Sequence, residues 1–124
     1  PERWHTDADE AHVQAWSRHV RPLRWIPRLT RVPYIVSFRL EKHRPIIESW
    51  LRKWRIRVDH LILHPTDTFA ARDADFDVIE HKAKRFKDST CSLFFESCPL
   101  QSKQIATYAG KPVCCPPAGR FFFP

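Results

Sequence analysis

The chain has 124 residues, of which 43% are hydrophobic, which is enough for one packed domain and too much for a disordered chain. Basic residues outnumber acidic ones by 21 to 14, so the formal net charge of +7 favours acidic partners, either nucleic acid or an acidic protein surface. No stretch is apolar enough to span a membrane or to serve as a secretion signal. We therefore expect a cytoplasmic protein with no membrane partner.

The first half of the chain predicts two helices and two strands. Residues 7–20 carry apolar side chains at helical spacing behind an aspartate that can cap the helix. Tyr34–Phe38 is a continuous apolar run, typical of a strand that is covered on both faces. Residues 43–54 place their apolar side chains in one helical stripe, and Val58–Leu63 is a second buried strand.

The second half continues this alternation of helices and strands. Residues 77–87 predict a helix, and Ser92–Glu96 predicts a strand. Pro99 to Ala109 predicts the last helix, with Gly110 as the residue that ends it. Pro112–Cys115 is a short fourth strand.

Strands that alternate with helices indicate right-handed crossovers and a parallel sheet with helices on both faces. We expect one α/β domain over residues 1–115. Residues 116–124 form a tail rich in Pro and Phe.

The cysteines are predicted to be reduced thiols, because the adjacent pair Cys114 and Cys115 cannot easily bridge to itself. Their spacing from Cys91 and Cys98 lacks the Cys-x-x-Cys pattern of a zinc site. No group of histidines indicates a metal site either, so we expect no metal and no other cofactor.

Several segments follow one another in the order of known motifs. Ile35–Lys42 with the helix after it, His81–Ala83, Phe94–Ser97 and residues 101–114 resemble the second, third and fourth motifs and the closing helix and strand of haloacid-dehalogenase-like (HAD) hydrolases. The segments resemble in particular the HAD-like domains that are common in phage and plasmid genomes. The resemblance spans about residues 8–115, and it depends on the joint order and spacing of the segments.

The resemblance implies a small parallel Rossmannoid sheet and a set of catalytic roles. Ser37 would hold a phosphoryl group, Lys82 would balance charge, and Glu96 would hold Mg²⁺. Cys98 stands where relatives often carry a second acidic residue.

The segment before the first helix departs from the family pattern. The family places a nucleophilic Asp-x-Asp at the end of a first, apolar strand. Here Asp7 and Asp9 follow the short polar segment Pro1–Thr6, and we interpret them as a helix cap. We expect the first strand to be missing, and Ser37 and its partners at the later motifs to be vestigial.

A missing first strand would leave unpaired edges on Tyr34–Phe38 and Ser92–Glu96. Unpaired buried N–H and C=O groups cost about 1–3 kcal/mol each. We expect the two strands either to pair with each other or to be bridged by an added strand. The added strand would come from Pro22–Pro33, from a partner or from a second copy in a homodimer.

Basic residues form two clusters near tryptophans. The arginines that we predict to bind a partner are Arg18, Arg21, Arg24, Arg28 and Arg31 in the first cluster and Arg52, Arg55 and Arg57 in the second. Basic and aromatic residues together can bind single-stranded nucleic acid, although a solvated face that keeps the domain soluble has the same composition.

These observations predict a catalytically inactive HAD-like protein that binds a protein or nucleoprotein complex. An inhibitor of a host defence complex, encoded by a phage or mobile element, would fit the size and charge. One alternative is half of a split phosphatase, with Mg²⁺ and a partner chain that donates the nucleophile strand. The other alternative is a basic nucleic-acid-binding protein.

Overall fold

Helices and strands alternate along the chain, as the sequence predicts. The computed structural model describes residues 6–22, 31–66, 68, 70–72 and 78–124. Contacts divide the chain into two units, Pro1–Phe76 and Asp77–Pro124. The protein is therefore a mixed α/β chain, and each unit has its own sheet.

The first unit contains two helices and two strands. They are helix α1 (Thr6–His19), strand β1 (Val32–Leu40), helix α2 (Arg44–Lys53) and strand β2 (Val58–His64). A 3₁₀ turn, Glu41–His43, joins β1 to α2.

β1 and β2 form a parallel ladder that runs from the Val32 and Val58 pair to the Leu40 and His64 pair. Apolar side chains of α2 cover one face of this ladder and make the core of the unit. The buried members are Ile47, Trp50, Leu51, Ile56, Leu61 and Leu63.

α1 lies beside α2 and runs in the same direction. Val13 packs with Leu40, near the start of α2, whereas the Trp16 ring stacks on Trp50 at a centroid distance of 5.0 Å. The indole N–H of Trp50 donates to the carbonyl oxygen of Val20 at 2.9 Å. The carboxyl ends of both helices therefore lie at the same end of the unit.

The second unit contains two helices and three strands. They are helix α3 (Val78–Asp88), strand β3 (Phe94–Phe95), helix α4 (Pro99–Ala109), strand β4 (Val113–Cys115) and strand β5 (Arg120–Phe122).

α3 and α4 pack on the sheet of the second unit, whose strand order is β3-β4-β5. Phe86 of α3 and Ile105 of α4 are buried with Val113 of β4. Gly110 ends α4 with a φ of 68°, which is the left-handed conformation expected of a residue at that position. β5 lies in the segment predicted as a tail, and it pairs antiparallel with β4.

The described strands form two sheets rather than the single parallel sheet that we expected. β1 pairs with β2 and β3 pairs with β4, and the sheets of the described residues contain no direct ladder between β1 and β3, which was one of the two expected arrangements. Residues 23–30, which belong to the segment proposed to bridge the strands, lie outside the described residues, so bridging stays a prediction.

α1 begins at Thr6, so Asp7 and Asp9 lie within its first turn and not at the predicted cap. None of the helices in the described ranges is long and apolar enough to cross a membrane.

Candidate functional site

Lys82 and Glu96, predicted as vestigial catalytic residues, are in direct contact. Lys82 Nζ donates to Glu96 Oε1 at 2.6 Å and to the side-chain oxygen of Gln101 at 3.0 Å. Glu96 Oε2 accepts the backbone N–H groups of Ser97 at 2.8 Å and Cys98 at 3.1 Å. Since Glu96 is only 7% exposed, this pairing offsets the cost of burying its charge.

Local structure explains why Glu96 takes this position. It directly follows β3, and its backbone N–H donates to the carbonyl oxygen of Cys114 in β4 at 3.0 Å. Its carboxylate therefore joins the end of β3 to Cys98, the residue that precedes α4, and to Lys82 on α3. With both oxygens engaged, Glu96 fixes three elements of the second unit.

Ser37, the third residue predicted to be a vestigial catalytic residue, lies in the first unit. Ser37 lies in β1, and its Oγ accepts the backbone N–H of Arg39 at 3.2 Å. Within the described ranges, no group of His, Cys, Asp and Glu is arranged to hold a metal ion. Each of the four cysteines is a free thiol.

Most of the predicted partner-binding arginines lie on the surface of the first unit. The exposed ones are Arg18, Arg21, Arg31, Arg52, Arg55 and Arg57. Arg24 and Arg28 lie outside the described residues.

Two of these arginines flank the amino ends of the parallel strands. The backbone N–H of Val32 donates to the carbonyl oxygen of Arg57 at 2.8 Å, which sets Arg57 beside Arg31 at the start of the ladder. α2 runs back along the strands, so its carboxyl end, with Arg52 and Arg55, reaches the same end of the unit.

Two more arginines, Arg18 and Arg21, lie at the carboxyl end of α1, at the same end of the first unit. The bond from Trp50 to the carbonyl oxygen of Val20 holds the segment that carries Arg18 and Arg21 beside the last turns of α2. We call the six arginines together the basic end. Asp59 forms an ion pair with Arg31, but both side chains are exposed, at 39% and 66%, so the pair contributes little to stability.

Arg55 occupies a backbone position that normally belongs to glycine. Its φ is 57°, and it is the one non-glycine residue with positive φ in the described chain. The N–H of Ile56 donates to the carbonyl oxygen of Leu51 at 2.9 Å, and the N–H of Arg55 donates to that of Arg52 at 3.1 Å. These bonds make a Schellman motif at the end of α2, and Leu51 and Ile56 supply its apolar contact.

Sequence analysis located these arginines but treated them as two separate clusters. The structure joins the clusters because a strand–helix–strand unit returns the end of its helix to the start of its strands. The left-handed conformation of Arg55 was not foreseen. The available signal was the short segment Arg55–Arg57 between the apolar stripe of α2 and the strand that starts at Val58, with the apolar Ile56 in the position that packs back on the helix.

Two further arginines, which sequence analysis missed, lie at the carboxyl end of β1: Arg39 within the strand and Arg72 beside it. Arg39 stacks on the Trp16 ring at 4.1 Å, and Arg72 Nη1 donates to the carbonyl oxygen of Phe38 at 3.1 Å. Burial of the guanidinium, and then the nearby charge of Arg72, lower the pKa of Arg39 from its usual value.

No family model matches the chain, and neither the curated proteins nor the solved structures give a match.

Proposed function

We propose that this protein binds an acidic surface of a macromolecular partner through the basic end and does not catalyse phosphoryl transfer. The observation that carries the proposal is the convergence of six exposed arginines from three separate segments at one end of the first unit. Guanidinium groups present several in-plane donors that match carboxylate and phosphate oxygens. A surface of this kind favours both fast association and a defined orientation of the partner.

Repulsion among the arginines of the basic end supports this proposal, because it raises the free energy of the unbound chain. Like charges gathered at one end repel one another, and Asp59 is the acidic residue that pairs with an arginine of the basic end in the described chain. An acidic partner would relieve this repulsion. A surface needed only for solubility would gain more from basic residues that are spread apart.

Arg55 adds a second argument. A left-handed residue other than glycine costs about 1–2 kcal/mol, and the Schellman motif would form more easily with glycine. An exposed arginine that is kept there at this cost is expected where its charge has a use.

We also propose that the chain has a HAD-like fold. The order of strands and helices, the parallel ladders and the contact of Lys82 with Glu96 support it. The engagement of both Glu96 oxygens supports a protein that no longer uses this position for a metal. The partner class that we favour is a protein or nucleoprotein complex, such as a host defence complex inhibited by a phage or mobile-element protein.

Paired triple variants test the use of the basic end. One variant replaces Arg52, Arg55 and Arg57 with Gln, and the control replaces Lys84, Arg85 and Lys87, which are exposed on α3, with Gln. Both lose the same charge. Fluorescence anisotropy with a single-stranded oligonucleotide and with a polyglutamate peptide then reports affinity at several salt concentrations.

We expect the first triple variant to weaken binding about tenfold or more and to lower the salt slope by about two for the single-stranded oligonucleotide. The control should bind nearly as the unmodified chain does. Equal losses in both variants would mean that only net charge matters, which would contradict the proposal.

Half of a split phosphatase is the second candidate, because β1 and β3 each have one ladder partner among the described strands. An unpaired edge can accept a strand from another chain. In this candidate alone, Mg²⁺ would be held near Glu96. Purification from the producing cell tests it: a tightly associated second polypeptide, with Mg²⁺-dependent phosphatase activity that Glu96→Gln abolishes, would favour it over binding alone.

A further inference from the structure

A groove lies on the surface of the first unit between α1 and α2. The residues that line it include Gln14 and Ser17 of α1 and Ile46, Ser49, Trp50 and Lys53 of α2. The four positions on α2 are spaced by three, four and seven residues from the first of them, so they share one face of that helix. Because both helices run in the same direction, the groove leads toward their carboxyl ends, where the basic end lies.

The floor of the groove is apolar and held in place. Trp50 is 9% exposed, its ring stacks on Trp16 at 5.0 Å, and its indole N–H donates to the carbonyl oxygen of Val20. Ser17 Oγ donates to the backbone carbonyl oxygen of Gln14 at 2.8 Å, so this hydroxyl is satisfied within α1. The groove therefore suits apolar side chains, and its fixed shape lowers the cost of binding them.

The size of the groove indicates what it can accept. Its volume is about 270 Å³. Pockets that enclose a small-molecule ligand usually measure about 300–1,000 Å³. A smaller groove between two helices instead suits a few apolar side chains presented by a peptide, as in the binding of an amphipathic helix.

The charge along the groove changes toward one end. Lys53 is exposed, and no acidic side chain is among the residues that line the groove in the described chain. Arg52 and Arg18, both of the basic end, are the sequence neighbours of Lys53 and Ser17. A segment that places apolar side chains in the groove would bring its adjoining residues to this positive charge, where carboxylates are favoured.

We propose that the groove binds an acidic amphipathic helix of a partner protein, with apolar side chains against Ile46 and Trp50 and carboxylates against Lys53 and the basic end. This inference rests on the proposed function and assigns the acidic surface of the partner to a protein. Trp50 favours a protein over single-stranded nucleic acid, because a buried ring that is stacked on Trp16 offers little open face for a base.

Two labelled helical peptides of equal charge test the groove in the full chain by fluorescence anisotropy. One carries glutamates with leucines at positions i, i+3, i+4 and i+7, and the other has alanine in place of each leucine. The unmodified chain should bind the leucine peptide about tenfold or more tightly than the alanine peptide, since only leucine fills the groove.

Bulky substitutions then place the binding in the groove. Ser49→Trp fills the groove without a change of charge, and it should lower the affinity for the leucine peptide to that for the alanine peptide. Ser17→Trp fills the groove from α1 and should act in the same way, which keeps the test decisive if one variant does not fold. Gln104→Trp, at an exposed position of α4, is the control and should leave both affinities unchanged.

The proposal is overturned if the unmodified chain binds both peptides equally, or if the leucine peptide keeps its advantage in both groove variants. It is also overturned if the groove variants weaken an oligonucleotide as much as the leucine peptide, because a base would then occupy the groove. The triple variant at Arg52, Arg55 and Arg57 should weaken both peptides alike. If it weakens neither while the groove variants act as expected, the proposed function fails and the groove stands.

Discussion

Lys82 and Glu96 form an ion pair on which the stability of the fold should depend. Both side chains are largely buried, at 16% and 7% exposure, so loss of either partner leaves a charge that water cannot reach. The resemblance to HAD hydrolases gives these residues catalytic roles, whereas the contacts give Glu96 a structural one.

Replacement of Lys82 with Met tests this structural role. Lys82→Met should lower the free energy of unfolding by about 3 kcal/mol, because Glu96 would remain buried without its cation. Chemical denaturation measures the loss. Lys84→Met, at an exposed position of the same helix, is the control and should change stability by less than about 0.5 kcal/mol. Similar values for the two variants would show that the buried pair does not stabilise the fold.

Glu41 gives the chain a pH-dependent contribution to stability. The hydrogen bond from Arg44, together with its charge, lowers the pKa of Glu41 below the ordinary value of 4.5. A carboxylate with a lowered pKa stabilises the folded state above its ordinary pKa, and this contribution is lost as the pH falls through the lowered value. Since the Glu41 side chain is 47% exposed, the effect should be small.

We expect Glu41→Gln to remove this contribution. Between about pH 5 and pH 3, the unmodified chain should lose more stability than Glu41→Gln does. Denaturation curves at both pH values measure the difference. A steeper loss in the variant would contradict the assignment.

Sequence analysis predicted the individual helices and strands better than their arrangement. The Pro99 to Ala109 helix matches its predicted bounds, and the strand that begins at Val58 extends one residue further, to His64. These elements are encoded by short apolar patterns and by Pro and Gly at helix ends, all of which are local. β3 is shorter than predicted at both ends, since it contains only Phe94 and Phe95. The contact of Glu96 with Lys82 joins residues distant in sequence, and no local pattern shows it.

The end of α2 combines a local structural requirement with the proposed function. Arg55→Gly should raise the free energy of unfolding by about 1 kcal/mol, because glycine adopts a positive φ without strain. The same change should weaken binding to the acidic probes severalfold, since an arginine of the basic end is lost. Denaturation and anisotropy on the same samples measure both effects. A gain in stability with unchanged affinity would remove Arg55 from the binding surface.

At the scale of the whole molecule, sequence analysis predicted the α/β class correctly but did not predict which strands pair. Alternating elements predict an α/β chain, but which strands share a sheet depends on contacts between distant segments. β5 was missed because the Pro-rich segment 116–124 lacks the alternation of a strand. The basic end was found only as separate clusters for the same reason, since α1 and α2 meet through Trp16 and Trp50.

The isolated chain should show no Mg²⁺-dependent hydrolysis of a generic phosphate ester, because both oxygens of Glu96 are engaged by the protein. A chromogenic phosphate ester with and without Mg²⁺ provides the assay. Turnover that is abolished by Asp7→Asn or Asp9→Asn would instead establish an enzyme.

Quantitative affinity purification from the producing cell tests the central claim most directly. The baits are the unmodified chain, the triple variant at Arg52, Arg55 and Arg57, and the control triple variant on α3. We predict that the unmodified chain and the control recover the same acidic protein or nucleoprotein complex, at similar abundance, and that the basic-end variant loses it. Recovery of the same complex by all three baits would contradict the claim that this protein binds its partner through the basic end.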